Sequence, residues 1–395
     1  MRIALFTDSY RPTRDGVAVV VDGLARALTR RGHEVAIVCP QSTQGPAREV
    51  PDEGVRVLRV RSHPLPLYSE YRSPFVVSLA RTLRRGGLGG WAEVVHLHTP
   101  GMIGTAGFFV ARRSGRPTVG TYHTALGAMR ESVAPKWGTG AFFRVAEWWS
   151  LGLYWRCDRT TAPTGLARDE IARRARKPFR PPIEVVPNGI DASRFSPGAS
   201  GPDWRARTGL GAVPLVTYLG RLTIDKGIHR FLDAVAEVAK RREIAVLVGG
   251  RGPEESAVRA RLANEESLAR CARFVGGVEE GEKPALLAQS DLFVLPSTSD
   301  TSSVALLEAM ACGIAVIGPA EGGPAEIVRD GWNGRRVPMR EEGALRTAIE
   351  ELLDDPTARR RLGEHGREFV QANASIDRMA ARFEEVYRSL ARAPR

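Results

Sequence analysis

The sequence predicts an α/β protein built from two doubly wound, Rossmann-like domains in tandem. Three observations carry that expectation. Short β-rich runs alternate with helical patterns from one end of the chain to the other, the rhythm of parallel sheets covered on both faces. The rhythm breaks once, at Val186-Pro-Asn-Gly-Ile-Asp191 and the Pro/Gly/Ser-rich stretch 196–202, and then restarts. A chain of 395 residues with 43% hydrophobic content is long enough for two separate cores.

In the first half, strands are expected at 2–7, 34–39, 55–60, 93–97, 117–122, 159–162 and 183–186, with helices at 17–31, 102–113 and 164–175. After the break, strands are expected at 214–219, 244–249, 272–275, 291–295 and 314–317, with helices at 228–241, 254–263, 283–289 and 303–312. Helices 341–354, 356–371 and 376–392 close the chain. The expected division is 1–190, then 191–375, with 376–395 as a helix returning to the first domain. Two such domains face a central cleft, and ligands bind at the carboxyl ends of parallel strands, so motifs should follow strands.

Composition removes several classes. The four cysteines, Cys39, Cys157, Cys271 and Cys312, lie far apart with neither a C-x-x-C pair nor histidine spacing, which suggests neither a zinc site nor a disulfide framework but buried thiols in a reducing cytoplasm. The chain opens directly into a strand-like segment without a signal peptide, and it lacks any run of about 18 apolar residues, so a cytoplasmic or at most peripheral protein is expected. Charge is uneven. Residues 1–190 hold 28 Lys and Arg against 15 Asp and Glu, a net +13, while the remainder is close to neutral. That asymmetry suits an anionic acceptor or an anionic membrane face, with arginine-rich solvated helices as the plain alternative. The clusters Arg81/Arg84/Arg85 and Arg173/Arg174/Arg176/Lys177/Arg180 have no interleaved aromatics, so nucleic acid is not the expected partner.

Three motifs do fall just after expected strands. Asp15-Gly16-Val17 opens the first helix, where Gly16 permits close approach of a ligand and the first helical amides suit a phosphate; an ordinary loop glycine is the competing reading. Gly220-Arg221-Leu-Thr-Ile-Asp225-Lys226-Gly227 follows strand 214–219 and presents two cations beside a helix start, as a diphosphate requires. Only five of the 57 basic residues are lysines, so Lys226 is not what composition supplies by default. The third stretch, Ser297-Thr-Ser-Asp300-Thr-Ser-Ser303-Val304-Ala-Leu-Leu-Glu308, follows strand 291–295. It offers the amides of 302–304 and two carboxylates, Asp300 and Glu308, able to accept hydrogen bonds from sugar and ribose hydroxyls. A pair of hydrolytic acids is the alternative, but the neighbouring cations favour a nucleotide-sugar.

Taken together with Phe6-Thr-Asp-Ser-Tyr-Arg-Pro-Thr-Arg-Asp-Gly-Val17, Tyr122-His123-Thr124, Val186–Asp191 and Glu321-Gly-Gly-Pro-Ala-Glu-Ile-Val328, these residues resemble a family 4 retaining glycosyltransferase of the GT-B fold, glycosyl transferases group 1. The resemblance covers essentially the whole chain. It implies a metal-independent, retaining hexosyltransferase without a cofactor, using a UDP- or GDP-sugar, with acceptor binding in 1–190 and nucleotide-sugar binding in 191–375. It implies that Arg221 and Lys226 bind the diphosphate, Glu308 the ribose and Asp300 the donor sugar, with Gly16, Ser303 and Val304 also at the donor and His123 beside the anomeric carbon. Asp300-Thr-Ser-Ser303 departs from the usual acidic residue followed by an aromatic-glycine run, which leaves the donor sugar open.

The acceptor is a hydroxyl compound, lipid or phosphoinositol-type by resemblance around Tyr122-His-Thr124 and His98-Thr-Pro-Gly101, or a small polyol or natural product. The run Phe142–Trp155 offers an interfacial face, but its aromatics spread around the helix and favour burial. Two other classes fit the architecture. They are a nucleotide-sugar epimerase and a non-enzymatic nucleotide or nucleic-acid binder, the latter resting on Gly250-x-Gly252, which lacks the third glycine of a dinucleotide fingerprint.

Overall fold

The structure is a computed structural model that describes residues 1–392 except 14, 42–49, 53, 66–67, 124–138 and 176. Two compact units are present: Met1–Gly189 together with Ile376–Arg395, and Ile190–Ser375.

In the first unit, strands β1 (Arg2–Phe6), β2 (Glu34–Pro40), β3 (Val50–Asp52) and β4 (Val55–Val60) join β7 (Val94–Leu97), β8 (Thr118–Thr121), β9 (Arg159–Ala162) and β10 (Glu184–Val185) in one sheet. The order is β10-β9-β8-β7-β1-β2-β4-β3, parallel except where β3 runs against β4. Ile3, Ala4, Leu5 and Phe6 are all fully buried, because a central parallel strand is covered on both faces and reads as continuous apolar sequence. The chain winds outward from β1 through β2 to β4, then returns to β7 on the opposite side of β1. The carboxyl ends of β1 and β7 therefore flank a reversal of winding, where a crevice opens.

The second unit repeats the plan. Strands β11 (Leu215–Leu219), β12 (Ala245–Gly249), β13 (Ala272–Gly276), β14 (Leu292–Val294), β15 (Ala315–Pro319) and β16 (Arg335–Val337) form a wholly parallel sheet of order β13-β12-β11-β14-β15-β16. Its reversal lies between β11 and β14.

Several elements were not expected. The hairpin β5 (Ser62–Leu65) to β6 (Tyr68–Pro74) carries prolines at 64 and 74 that mask strand alternation, and β16 is a basic edge strand of three residues. Helix Ala344–Asp354 starts later than its periodicity suggested because Gly343 takes a left-handed φ of 76° and ends the preceding turn. The expectation of burial for 142–155 is corrected: helix Thr139–Trp155 buries Ser150, Leu153 and Tyr154 but exposes Val145, Trp148, Trp149 and Trp155. The side chains of Phe142 and Phe143 lie outside the described residues, as do Arg176 and Thr124. All four cysteines are free; Cys39, Cys157 and Cys312 are buried as expected, while Cys271 is only half-buried. Among the described residues no helix is long and apolar enough to cross a membrane.

The helix Ile376–Arg392 packs on helix Gly16–Arg30 within the first unit. Met379, Ala380, Phe383, Val386 and Tyr387 recur every three or four residues, so one stripe of the helix is buried. Glu384 adds a charged clasp, accepting from Arg31 Nη2 at 2.7 Å and meeting His33 Nε2 at 3.1 Å. Phe383→Ala should therefore destabilise the first unit by about 3–5 kcal/mol, measured as a lower urea midpoint. An unchanged midpoint would show that this stripe contributes nothing to the fold.

Candidate active site

The second unit gathers its charged residues at the reversal between β11 and β14. Loop 220–227 leaves β11 and turns through a short 3-10 helix, Ile224–Lys226, ended by Gly227 at φ 72°. Buried Tyr218 donates its hydroxyl to the carbonyls of Arg221 at 3.0 Å and Lys226 at 3.4 Å, tying both ends of the loop to the strand. Loop 296–302 leaves β14 and docks on the first loop: Ser299 Oγ donates to Asp225 Oδ2 at 2.6 Å, and Thr298 N donates to Asp225 O at 3.2 Å. Two ion pairs span the site. Lys226 Nζ contacts Asp300 Oδ1, both side chains being largely shielded, and Arg221 Nη2 lies 3.9 Å from Asp225 Oδ2.

Helix Val304–Ala311 begins beside this cluster. Ser303 is its N-cap, its hydroxyl accepting from Leu306 N at 3.4 Å, and Val304 is the first helical residue. Glu308 lies further along and is 3% exposed. Its partner was not apparent from sequence: Lys283 Nζ, at the start of helix Lys283–Ala288, lies 3.4 Å from Glu308 Oε1 and 2.8 Å from Glu280 Oε2. Burial pushes the Glu308 carboxyl up to about 7, and Lys283 opposes that rise. Burial also opposes the charge on Lys283, but Glu308 and Glu280 together outweigh it and leave its pKa raised. The one available signal for this group was the scarcity of lysine, which singles out Lys283 as readily as Lys226.

In the first unit, the ends of β1, β7 and β8 carry a different chemistry. Asp8 follows β1 and caps helix Met102–Arg113, accepting from Ile103 N at 2.9 Å and from Thr99 Oγ1 at 2.6 Å. Gly16 is the exposed first residue of helix Gly16–Arg30, whose N-cap Asp15 already accepts the Ala18 amide at 2.8 Å. That carboxylate narrows the expected anion-binding role of this helix end. His98 follows β7 and His123 follows β8, and they meet with Nδ1 of His98 3.0 Å from Nε2 of His123. His96 lies behind them, bonded to Tyr387 Oη at 2.7 Å and Thr121 Oγ1 at 2.6 Å. Loss of hydration pushes the His123 imidazole down to about 4, and His96 and His98 also fall well below the usual histidine value, chiefly through burial. All three rings are neutral at physiological pH.

The structure thus brings Arg221, Lys226, Asp300, Ser303 and Val304 to one strand-end cluster, with Glu308 on the helix that leaves it. Gly16 and His123 belong to the other unit. Gly250 and Gly252, considered above for dinucleotide binding, serve packing: a Cβ at Gly250 would lie 1.9 Å from Gly220 O, and one at Gly252 2.3 Å from Leu222 O. Among the described residues no cluster of three metal-ligating side chains is present.

Two Rossmann-like units, one carrying cations and carboxylates at its strand reversal, define a class of nucleotide-sugar-dependent transferases. Comparison with known proteins agrees. Residues 14–194 match the family described as Glycosyltransferase Family 4, and residues 202–369 match Glycosyl transferases group 1. A GDP-mannose-dependent alpha-mannosyltransferase of Mycolicibacterium smegmatis is 31% identical over 376 residues, covering 94% of this chain and 93% of that protein. A GDP-mannose-dependent alpha-(1-6)-phosphatidylinositol monomannoside mannosyltransferase of the same organism is 32% identical over 52% of this chain and 56% of its own. The solved structure of sucrose-phosphate synthase from Thermosynechococcus elongatus has the same fold, with a TM-score of 0.78 at 24% identity over 98% of each chain. The chain belongs to glycosyltransferase family 4, and it is a glycosyltransferase of the GT-B fold.

The Glu308–Lys283 pair has a testable signature. A buried carboxyl raised from 4.5 to about 7 contributes stability that is complete below the lower value and is lost as pH rises through the upper one. The stability of wild type relative to Glu308→Gln should fall by about 1–3 kcal/mol between pH 5 and pH 8. Lys283→Met should steepen that loss, since it leaves the carboxylate uncompensated. Parallel stability curves for wild type and Glu308→Gln would refute the coupling.

Proposed function

We propose that this protein is a retaining hexosyltransferase that moves mannose from GDP-mannose to a hydroxyl of a phosphoinositol-type lipid acceptor. The observation that carries the donor half is the pairing of Arg221 and Lys226 with Asp225 and Asp300 on two loops at one strand reversal. In this reading Arg221 and Lys226 take up the diphosphate, assisted by the amides of Ser303 and Val304. Asp300, released from Lys226, holds the transferred sugar, and Glu308 accepts the ribose hydroxyls. GDP-mannose follows from the mannosyltransferase relative that aligns along nearly the whole chain.

In the transfer, the acceptor oxygen forms a bond to the anomeric carbon on the face that the diphosphate leaves. The old carbon–oxygen bond breaks with its electron pair going to the phosphate, which takes the acceptor proton. The cations stabilise the charge that develops on the leaving group. His123 attends the anomeric carbon as a neutral imidazole.

The acceptor half rests on the first unit. Arg11, Arg26 and Arg59 surround Tyr10 and Asp22: Arg11 and Arg26 pair with Asp22 at 2.9 and 3.1 Å, and the guanidinium groups of Arg11 and Arg59 lie 5.6 and 5.7 Å from the Tyr10 ring. Two cations paired with one carboxylate, and a third over the ring of the tyrosine bonded to it, favour an acceptor that carries phosphate. Exposed Val145, Trp148 and Trp149 adjoin helix Met102–Arg113 through the 3.1 Å bond from Trp149 Nε1 to Thr105 Oγ1, and that helix exposes Met102 and Phe109. Helix Val76–Gly86 combines exposed Val76 and Val77 with exposed Arg81, Arg84 and Arg85, and exposed apolar and basic residues of these kinds suit peripheral contact with an anionic bilayer. The relative that acts on phosphatidylinositol monomannoside supports the same acceptor class.

The test is transfer from a panel of GDP-, UDP- and ADP-sugars to phosphatidylinositol vesicles, free inositol phosphates and neutral polyols. Turnover should be fastest with GDP-mannose and the lipid. Arg221→Ala and Lys226→Ala should each lower it by roughly 10²-fold or more. Saturable transfer confined to a UDP- or ADP-sugar, or to a neutral polyol, overturns the respective half. Trp148→Ser with Trp149→Ser should weaken vesicle binding while leaving the donor KM unchanged, and binding should decline as salt shortens the Debye length to about 8 Å. Salt-independent binding that survives both substitutions removes the membrane contact.

A further inference from the structure

His98 is fully buried, in contact with a residue placed at the reaction centre, and absent from every role assigned above. Its ring and that of His123 are tilted by only 17°, with centroids 5.3 Å apart and a 3.0 Å contact between nitrogens. This is an edge-to-edge hydrogen bond. A ring-over-ring contact brings centroids closer, as between His96 and His98, which lie 3.9 Å apart with their planes tilted by 36°.

A neutral imidazole has one N–H and one lone pair, so one of these two nitrogens donates and the other accepts. The choice is decided at the far side of His98, whose Nε2 is buried without a hydrogen-bond partner among the described residues. If His123 donated, His98 would carry its own proton on Nε2, stranding an N–H donor in a dry site. If His98 donates from Nδ1, only a lone pair is left there. Buried orphan N–H groups are the rarer of the two.

We infer that His98 is a positioning residue that donates Nδ1–H to Nε2 of His123 and so holds His123 as its Nδ1–H tautomer. The consequence is chemical. The Nε2 lone pair of His123 is occupied by His98, and its Nδ1 bears a proton, so neutral His123 has no lone pair with which to remove the acceptor proton. It acts as an N–H donor, orienting an oxygen or stabilising developing negative charge, and proton removal falls to the leaving diphosphate. His98 is itself held in place: its amide donates to Phe6 O at 2.9 Å, and its ring lies on His96, which Tyr387 and Thr121 clasp from both nitrogens.

The inference rests on the reading of His123 as an active-site residue only for its catalytic consequence. The tautomer is measured without turnover, by two-bond nitrogen–proton spectra of the full-length protein labelled with ¹⁵N-histidine, with His123→Ala identifying the resonance. The expected result is a protonated Nδ1 and a bare, hydrogen-bonded Nε2 in wild-type His123. A protonated Nε2 overturns the inference, and this needs no variant at His98 to fold. His98→Leu should release His123 to the Nε2–H form usual for free histidine and lower kcat about tenfold or more with the donor KM unchanged. His98→Asn, whose carboxamide N–H can occupy the place of Nδ1–H, should recover most of that kcat and restore the tautomer. Equal kcat loss in both variants, with the tautomer unmoved, also overturns it. Full activity of His123→Ala alongside the expected spectrum would instead remove His123 from the reaction and leave the tautomer assignment standing.

Discussion

Backbone contact between loops is the constraint on which the second unit's chemistry depends. The loops after β11, β12, β14 and β15 meet at the sheet reversal too closely for side chains to intervene. A Cβ on Gly227 would lie 2.4 Å from Pro296 O, and one on Gly323 would lie 2.0 Å from Thr301 O. Gly250 and Gly252 make the equivalent approach to loop 220–222. The positions of Arg221, Lys226 and Asp300 are consequently set by main-chain packing, which is stiffer than any side-chain contact of comparable size. The same packing brings the Glu321-Gly-Gly-Pro324 segment to the cluster: Gly323 N donates to Asp300 O at 3.0 Å.

Rigid loops solve one problem and leave another. Cations gathered to meet a diphosphate repel one another before it arrives, and shielding them from water raises that cost. The second unit balances them internally, with Asp225 beside Arg221 and Asp300 against Lys226. On the proposed reading, binding a diphosphate exchanges one anionic partner for another, so Lys226 need not be desolvated anew. Asp300 is the carboxylate set free by that exchange, which links arrival of the phosphates to availability of the group proposed to hold the sugar.

Much of this was legible because it is periodic or local. Continuous apolar runs such as Ile3–Phe6 and Ala245–Val248 are what a central parallel strand requires, and their alternation with amphipathic helices reveals the winding. Motifs placed after strands inherit a position from topology alone, as Arg221 and Asp300 do. Lys283 and Glu280 were not legible, because they sit on a short proline-bearing segment and reach Glu308 only through tertiary packing. The exposure of helix Thr139–Trp155 was misread for a related reason: aromatics all round a helix predict burial only if every face finds a neighbour, and the face bearing Trp148 and Trp149 stays open to solvent. His98 was visible only as part of a motif, since the orientation of two imidazoles depends on where β7 and β8 end relative to one another.

The two units divide the electrostatics between them. Around His96, His98 and His123 burial keeps every ring neutral, and the hydrogen bonds run between uncharged groups and a tyrosine of the C-terminal helix. Around Arg221, Lys226, Lys283, Asp300 and Glu308 the groups are charged or, for Glu308, poised near neutrality, and each cation has a carboxylate within reach. On the proposed reading, that contrast suits a reaction in which negative charge accumulates on a departing diphosphate while the sugar carbon becomes electron-poor. Fixed positive charge is useful at the first and harmful at the second, because a cation beside an oxocarbenium-like centre opposes its formation. A histidine that stays neutral because its surroundings are dry meets that requirement, and a lysine or a protonated imidazole in its place does not.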